Sequence, residues 1–151
     1  MERMRNPSKT SGDIFPLISI IIPVHKRGEF FPRCLSSVVE AISPYDQIIV
    51  VANGATDHVS NLAESFGAQV IKLPNPVGPA RARNAGVQAA DNEILFFMDA
   101  DVTIPGDMIH RIRCRFSGDH ELAAVIGSYD DEPYEKNFLS QYKNLFHHYI
   151  H

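Results

Sequence analysis

An alternation restricts this chain more than any other feature. Short apolar runs rich in β-branched residues take turns with stretches whose apolar residues recur every three or four positions. "PLISIIIPV" (16–24) is such a run, closed by Pro23, and predicts a buried strand. "EFFPRCLSSVVEAI" (29–42) has apolar residues at 31, 34/35, 38/39 and 42, the spacing of one helix face, and tolerates Pro32 only in its first turn. "DQIIVVAN" (46–53) predicts a second strand that ends in the turn "NGATD", and a helix over 57–66 stops at Gly67. "AQVIKL" (68–73) predicts a third strand and "PNPVG" (74–78) a loop, since two prolines and a glycine do not continue a strand. "PARARNAGVQAAD" (79–91) predicts a helix opened by Pro79, and "EILFFMDAD" (93–101) a fourth strand. "PGDMIHRIRCRF" (105–116) predicts a helix, "LAAVIGSY" (122–129) a fifth strand, and "YEKNFLSQYKNLFHHYIH" (134–151) a last helix.

Apolar strands alternating with helices predict an α/β, Rossmann-like fold: a mostly parallel sheet covered on both faces by helices. The 151 residues suit one such domain over 16–133, preceded by a polar tail (1–15) and followed by the helix at 134–151. A formal net charge of −4 argues against a nucleic-acid partner. Cys34 and Cys114 stand far apart and outside any CxxC, which fits a reducing cytoplasm better than a disulfide or zinc framework. No apolar run approaches the roughly 18 residues that span a bilayer, and "MERMRNPSKTSGD" (1–13) has no signal-peptide apolar segment.

Ligands of parallel sheets bind beyond the carboxyl ends of the strands. The loops expected there are "HKRGE" (25–29), "ANGATD" (52–57), "PNPVG" (74–78), "DADV" (99–102) and "SYDDEP" (128–133), which hold most of the chain's polar chemistry. At the end of the strand expected over 93–101, Asp99 and Asp101 stand two residues apart in extended chain and so point the same way at the rim. Carboxylates that close repel unless a cation joins them, and a hard divalent ion shared with diphosphate oxygens suits the pair. An acidic turn that merely ends the strand is the plainer alternative.

The stretch "GPARARNAGVQAADNEILFFMDAD" (78–101) resembles the family 2 glycosyltransferases, nucleotide-sugar-dependent enzymes of the GT-A fold. The match rests on Gly78, Ala82-Arg83-Asn84, Gly86, Glu93 and Asp99-Ala100-Asp101. "LISIIIPVHKRGEFFPRCLSSV" (17–38) and "IIVVANGATD" (48–57) resemble the family's first strand and helix and its second strand and turn. The resemblance implies transfer of a sugar from a nucleoside-diphosphate sugar, a UDP-sugar being favoured, to a saccharide or lipid acceptor, as in cell-envelope polysaccharide synthesis. It implies inversion at the sugar and Mg²⁺ or Mn²⁺ as cofactor. Pro23, Val24, His25, Asn53, Arg83 and Asp99 are then the donor-binding residues, and Asp101 with Asp99 holds the metal. Ala52 and Asn53 depart from the family, which usually has acids there that read the base. Asp57 matches the family but also stands where a helix N-cap would.

Further candidates stand outside that pattern. Asp130, Asp131 and Glu132 lie on the same expected rim and are the visible substitutes for a general base. His147 and His151 are spaced for a metal, with His148 beside them, but no third ligand type accompanies them. Arg111, Arg113 and Arg115 read as a solvated helix face, and residues 138–150 as an apolar stripe suited to self-association. The resemblance places the base and the acceptor pocket beyond the matched region. The chain as given is therefore expected to bind donor without robust transfer, working in the cytoplasm or at the inner face of the membrane. A donor-binding module without catalysis and a nucleotidyltransferase are the alternatives. The second fits poorly, because "PVHKRGEF" (23–30) is not a glycine-rich basic loop.

Overall fold

A computed structural model describes residues 15–25, 28–54, 57–128 and 142. The chain divides into two compact units, residues 1–120 and 121–151, and every element below belongs to the first. Its order is β1 (Ile18–Val24), α1 (Phe31–Ala41), β2 (Gln47–Asn53), α2 (Asp57–Ser65), β3 (Gln69–Leu73), α3 (Pro79–Ala89), β4 (Ile94–Phe97) and α4 (Met108–Gly118). The four strands form one sheet in the order β3-β2-β1-β4, and all three pairings are parallel.

The central strands β1 and β2 are buried on both faces, which is why they read as unbroken apolar runs rather than alternating ones. Ile18, Ile20, Ile22 and Val24 of β1 pack with Phe31, Cys34, Leu35 and Val38 of α1, Val59 and Ala63 of α2, and Ile109 of α4. Ile21, Ile49 and Val51 point the other way and pack under Ala82 of α3. Strand order explains the split. The sheet grows outward from β1 to β3 and then jumps back across β1 to β4. Crossovers of constant hand put the returning helix, α3, on the opposite face.

Local chemistry accounts for the helix bounds. Pro32 and Pro79 sit in the first turns of α1 and α3, where the missing N–H is harmless. Gly67 takes φ +79° beyond α2, a conformation that disfavours a side chain. The strand expected over 93–101 is Ile94–Phe97 only, so Asp99 and Asp101 lie past its end and not in extended chain. The helix expected over 105–116 is Met108–Gly118. No strand forms among residues 122–128, where Val125 and Ile126 are exposed. An apolar, β-prone run becomes a strand only where a ladder partner accepts it.

Candidate functional site

The strand order reverses between β1 and β4, where open parallel sheets leave a crevice at the carboxyl edge. A cleft of about 370 Å³ opens there, lined by Pro23, Val24, His25, Asn53, Pro79, Arg83 and Asp99. The residues come from the ends of β1 and β2, from the first two turns of α3, and from the loop after β4. Helix α3 comes close because it is small where it meets the sheet. Ala82 and Gly86 are buried, four residues apart on one face. A Cβ on Gly86 would stand 2.4 Å from Ile21 Cγ2, so only glycine fits without a shift. Arg83, next to Ala82, is left at the rim.

The β2 side of the cleft is held by hydrogen bonds and carries no Asp, Glu, Lys or Arg. The Asn53 carboxamide clasps the main chain of Val77 in both directions: Nδ2–H donates to Val77 O at 2.7 Å, and Oδ1 accepts from Val77 N–H at 2.7 Å. Gly54 continues the contact. Its N–H donates to Leu73 O at 2.8 Å, and it turns at φ +68° with Pro76 so near that a Cβ would lie 3.0 Å from it. His25 bonds through Nδ1 to the Asn53 carbonyl at 2.8 Å. A carbonyl only accepts, so Nδ1 carries the proton.

The β4 side is charged and open. Arg83 donates to Asp99 Oδ1 at 2.8 Å, with the two side chains 37% and 57% exposed. The next residues form a tight turn closed by Val102 N–H on Asp99 O at 3.2 Å. Asp101 stands exposed in that turn with no ion pair among the described residues. Cys34 lies buried beneath the Asp99 backbone, 3.8 Å from its carbonyl. Burial, helped by the Asp101 charge, pushes the Cys34 thiol up to about 12. That makes it a packing residue and not a nucleophile.

The structure thus brings six expected residues, Pro23, Val24, His25, Asn53, Arg83 and Asp99, around one cleft. Asp101 follows two positions after Asp99 but does not line the cleft. Three expectations change. The acidic pair is carried by a turn, not by strand geometry. Asn53 does not stand free in the cleft, because one N–H and one lone pair of its carboxamide hold the loop at Val77. Arg113 is not solvated: its side chain is 13% exposed and bonds to Asp46, to Ser43 Oγ at 3.1 Å and to Pro16 O at 3.3 Å. Pro79 joins the lining unexpectedly, although its place at the head of a helix beside the rim was readable. Asp57 opens α2 and pairs with Lys72 at 3.1 Å on the surface. Asp130, Asp131, Glu132, His147, His148, His151 and the helix over 134–151 lie outside the described residues, apart from Tyr142.

The donor chemistry at Asp99 and Asp101 suits a hard divalent cation. Carboxylate oxygens are the ligands Mg²⁺ and Mn²⁺ prefer, and Mg²⁺ commonly takes only one or two of them plus phosphate oxygens and water. Among the described residues no third His, Cys, Asp or Glu joins the pair. A cation here would need its remaining ligands from a bound anion.

Comparison with known proteins agrees with this architecture. The pattern described as glycosyl transferase family 2 matches residues 19–150. Glycosyltransferase GlyG of Streptococcus pneumoniae is 26% identical over 118 residues, 75% of this chain and 39% of its own length. The PGL/p-HBAD biosynthesis glycosyltransferase of Mycobacterium tuberculosis is 30% identical over 117 residues, 74% of this chain and 45% of its own. The chain therefore spans less than half of these relatives. Residues 1–349 of Staphylococcus aureus TarS, solved in complex with UDP, superpose with a TM-score of 0.65 at 20% identity over 78% of this chain and 40% of that fragment. The mannosyltransferase PcManGT of Pyrobaculum calidifontis, solved with GDP-Man and Mn²⁺, gives 0.64 at 20% identity over 86% of this chain and 38% of its own. Those likenesses are of fold, the GT-A fold.

Proposed function

The chain belongs to glycosyl transferase family 2, and from that premise we propose that it carries the donor-binding part of an enzyme moving a sugar from a nucleoside diphosphate to an acceptor hydroxyl, with inversion. The observation that carries the reading is the cleft where the strand order reverses. It joins a hydrogen-bonded wall at Pro23, Val24, His25 and Asn53, free of Asp, Glu, Lys and Arg, to an Arg83–Asp99 ion pair. A nucleoside diphosphate has that polarity, with an uncharged ring system at one end and two phosphates at the other.

Each residue has a role that follows from its placement. Pro23 and Val24 offer apolar surface and main chain to the nucleoside. Arg83 presents guanidinium N–H groups to oxyanions and is steered by Asp99. Asp99 and Asp101 would hold Mg²⁺ or Mn²⁺, which when bound stabilises negative charge on the departing diphosphate. The exposed turn leaves Asp101 accessible to a cation and to phosphate at once. Transfer also needs a base within reach of the acceptor hydroxyl, and the candidates Asp130, Asp131 and Glu132 lie outside the described residues. No helix among the described residues is long and apolar enough to cross a membrane.

Titration calorimetry with UDP and GDP, with Mn²⁺ and with chelator, tests the reading. Binding is expected only with the metal, and Asp101→Asn should abolish the metal-dependent part. Equal affinity in chelator would sink the metal role. No binding of any nucleoside diphosphate would sink the donor reading itself.

A further inference from the structure

We infer that His25 determines which bases the donor cleft accepts, its Nε2 taking a hydrogen bond from a ring N–H of the base. The inference rests on the donor-binding reading above and deepens it.

Three observations combine. First, the His25 tautomer is set by its neighbour: Nδ1 donates to the Asn53 carbonyl at 2.8 Å, so in the neutral ring Nε2 carries a lone pair. Second, the other polar side chains of the cleft are held in place by bonds of their own. The Asn53 carboxamide is clasped to Val77 at 2.7 Å in both directions. Arg83 only donates, and it is bonded to Asp99 at 2.8 Å. Third, the site is graded across the sheet. Strand order places Asn53, His25 and Asp99 in sequence along β2, β1 and β4. The charged groups gather at the β4 end, which suits phosphate, and His25 is tied toward the β2 end, which suits an uncharged ring. Ala52, the residue before Asn53, is a buried methyl and offers no side-chain acceptor.

A lone pair in that place sorts bases by one atom. Uracil and thymine carry N3–H and guanine N1–H, and each can donate to Nε2. Cytosine N3 and adenine N1 are acceptors, so they meet Nε2 lone pair to lone pair. The cleft should then be tolerant among UDP, dTDP and GDP and selective against CDP and ADP. A neutral hydrogen bond of this kind changes affinity by roughly three- to tenfold.

Competition binding in the presence of Mn²⁺ tests this on the whole chain and on His25→Ala, with UDP, CDP, inorganic pyrophosphate and N3-methyl-UDP as probes. Methylation removes the donor and leaves the phosphates alone, so it probes the wild-type protein without any substitution. The expected result is that wild type binds UDP about five- to tenfold more tightly than N3-methyl-UDP or CDP. In His25→Ala both ratios should fall to about one, with pyrophosphate binding unchanged. Equal binding of UDP and N3-methyl-UDP by wild type overturns the inference, even if the variant fails to fold. So does a ratio that survives in His25→Ala, or a variant that loses all probes, pyrophosphate included, to the same degree, which would put His25 on the phosphates. If UDP does not bind wild type at all, the donor reading falls and this inference with it.

Discussion

The two ends of the same four strands are built on opposite terms. At the amino ends, the Asp46 side chain is shielded from solvent and its carboxylate accepts from Ile18 N–H at 3.0 Å, Ser43 N–H at 2.8 Å, Ser43 Oγ–H at 3.0 Å and the Arg113 guanidinium. Gln47 beside it accepts from Ser19 Oγ–H at 2.8 Å and Asp91 N–H at 3.0 Å, and donates to Gln69 at 2.8 Å and Ala89 O at 3.1 Å. Those bonds stitch the connection between α3 and β4 to the sheet. At the carboxyl ends, Asp99 has a single ion pair and is more than half exposed, and Asp101 is exposed in a turn. A carboxylate surrounded by donors holds a fold together. A carboxylate left half-bonded keeps its remaining lone pairs for something that arrives later.

The largest way to break that contrast is at the closed end. Arg113→Ala leaves the Asp46 carboxylate buried without its cation, which should cost about 3 kcal/mol of stability in urea unfolding. Cleft affinity for nucleotide should be unchanged. Burial by itself would raise the Asp46 carboxyl, but the bonds from Arg113, Ser43 and Ile18 outweigh it and hold the group below its ordinary value. Its stabilisation is therefore complete above the unfolded carboxylate value, about 3.9, and is lost as pH falls below that through the folded one. Unfolding curves of wild type and Asp46→Asn should converge across that acidic range, and a constant gap would contradict the assignment.

Asn53→Ala sharpens the contrast inside the cleft. It removes both bonds to Val77 and should cost about 1–2 kcal/mol. The Asn53 carbonyl that fixes the His25 tautomer is main chain and remains. Preference for UDP over CDP should survive, and its loss would show that the loop, not His25, sets it. The smallest expected effect belongs to Asp101→Asn. An exposed carboxylate without an ion pair should move stability by less than about 0.5 kcal/mol, although the same change should abolish metal-dependent binding.

Much of the frame was legible because its causes are local. β-branched runs, first-turn prolines and Gly67 set most element bounds to within a few residues. The loops after the four strands that form followed from the alternation alone, while the one expected over 128–133 was placed after a strand that does not form over 122–128. What stayed hidden depends on distant partners. Residues 122–128 have strand composition, and composition does not supply a neighbour. Asn53 looked like a base reader because nothing in "VANG" (51–54) announces a loop 24 residues later that takes its amide. Arg113 sat among alternating arginines that look solvated. One signal was available: it follows the buried Ile109 by four positions and so shares its stripe toward the sheet.

Gly86 has a consequence beyond close packing. Pro79 and Arg83, the residues α3 gives to the cleft, ride on the same rigid rod as Gly86, with Arg83 less than one turn away. How far that rod stands off the sheet is fixed where a hydrogen of Gly86 meets Ile21. The cleft is thus a vice whose jaw is set from behind, by one absent methyl that no ligand touches. Adding that methyl would open the jaw by pushing the whole helix outward. Selectivity for the size of a bound ring could then drift through a residue that a survey of ligand contacts would pass over.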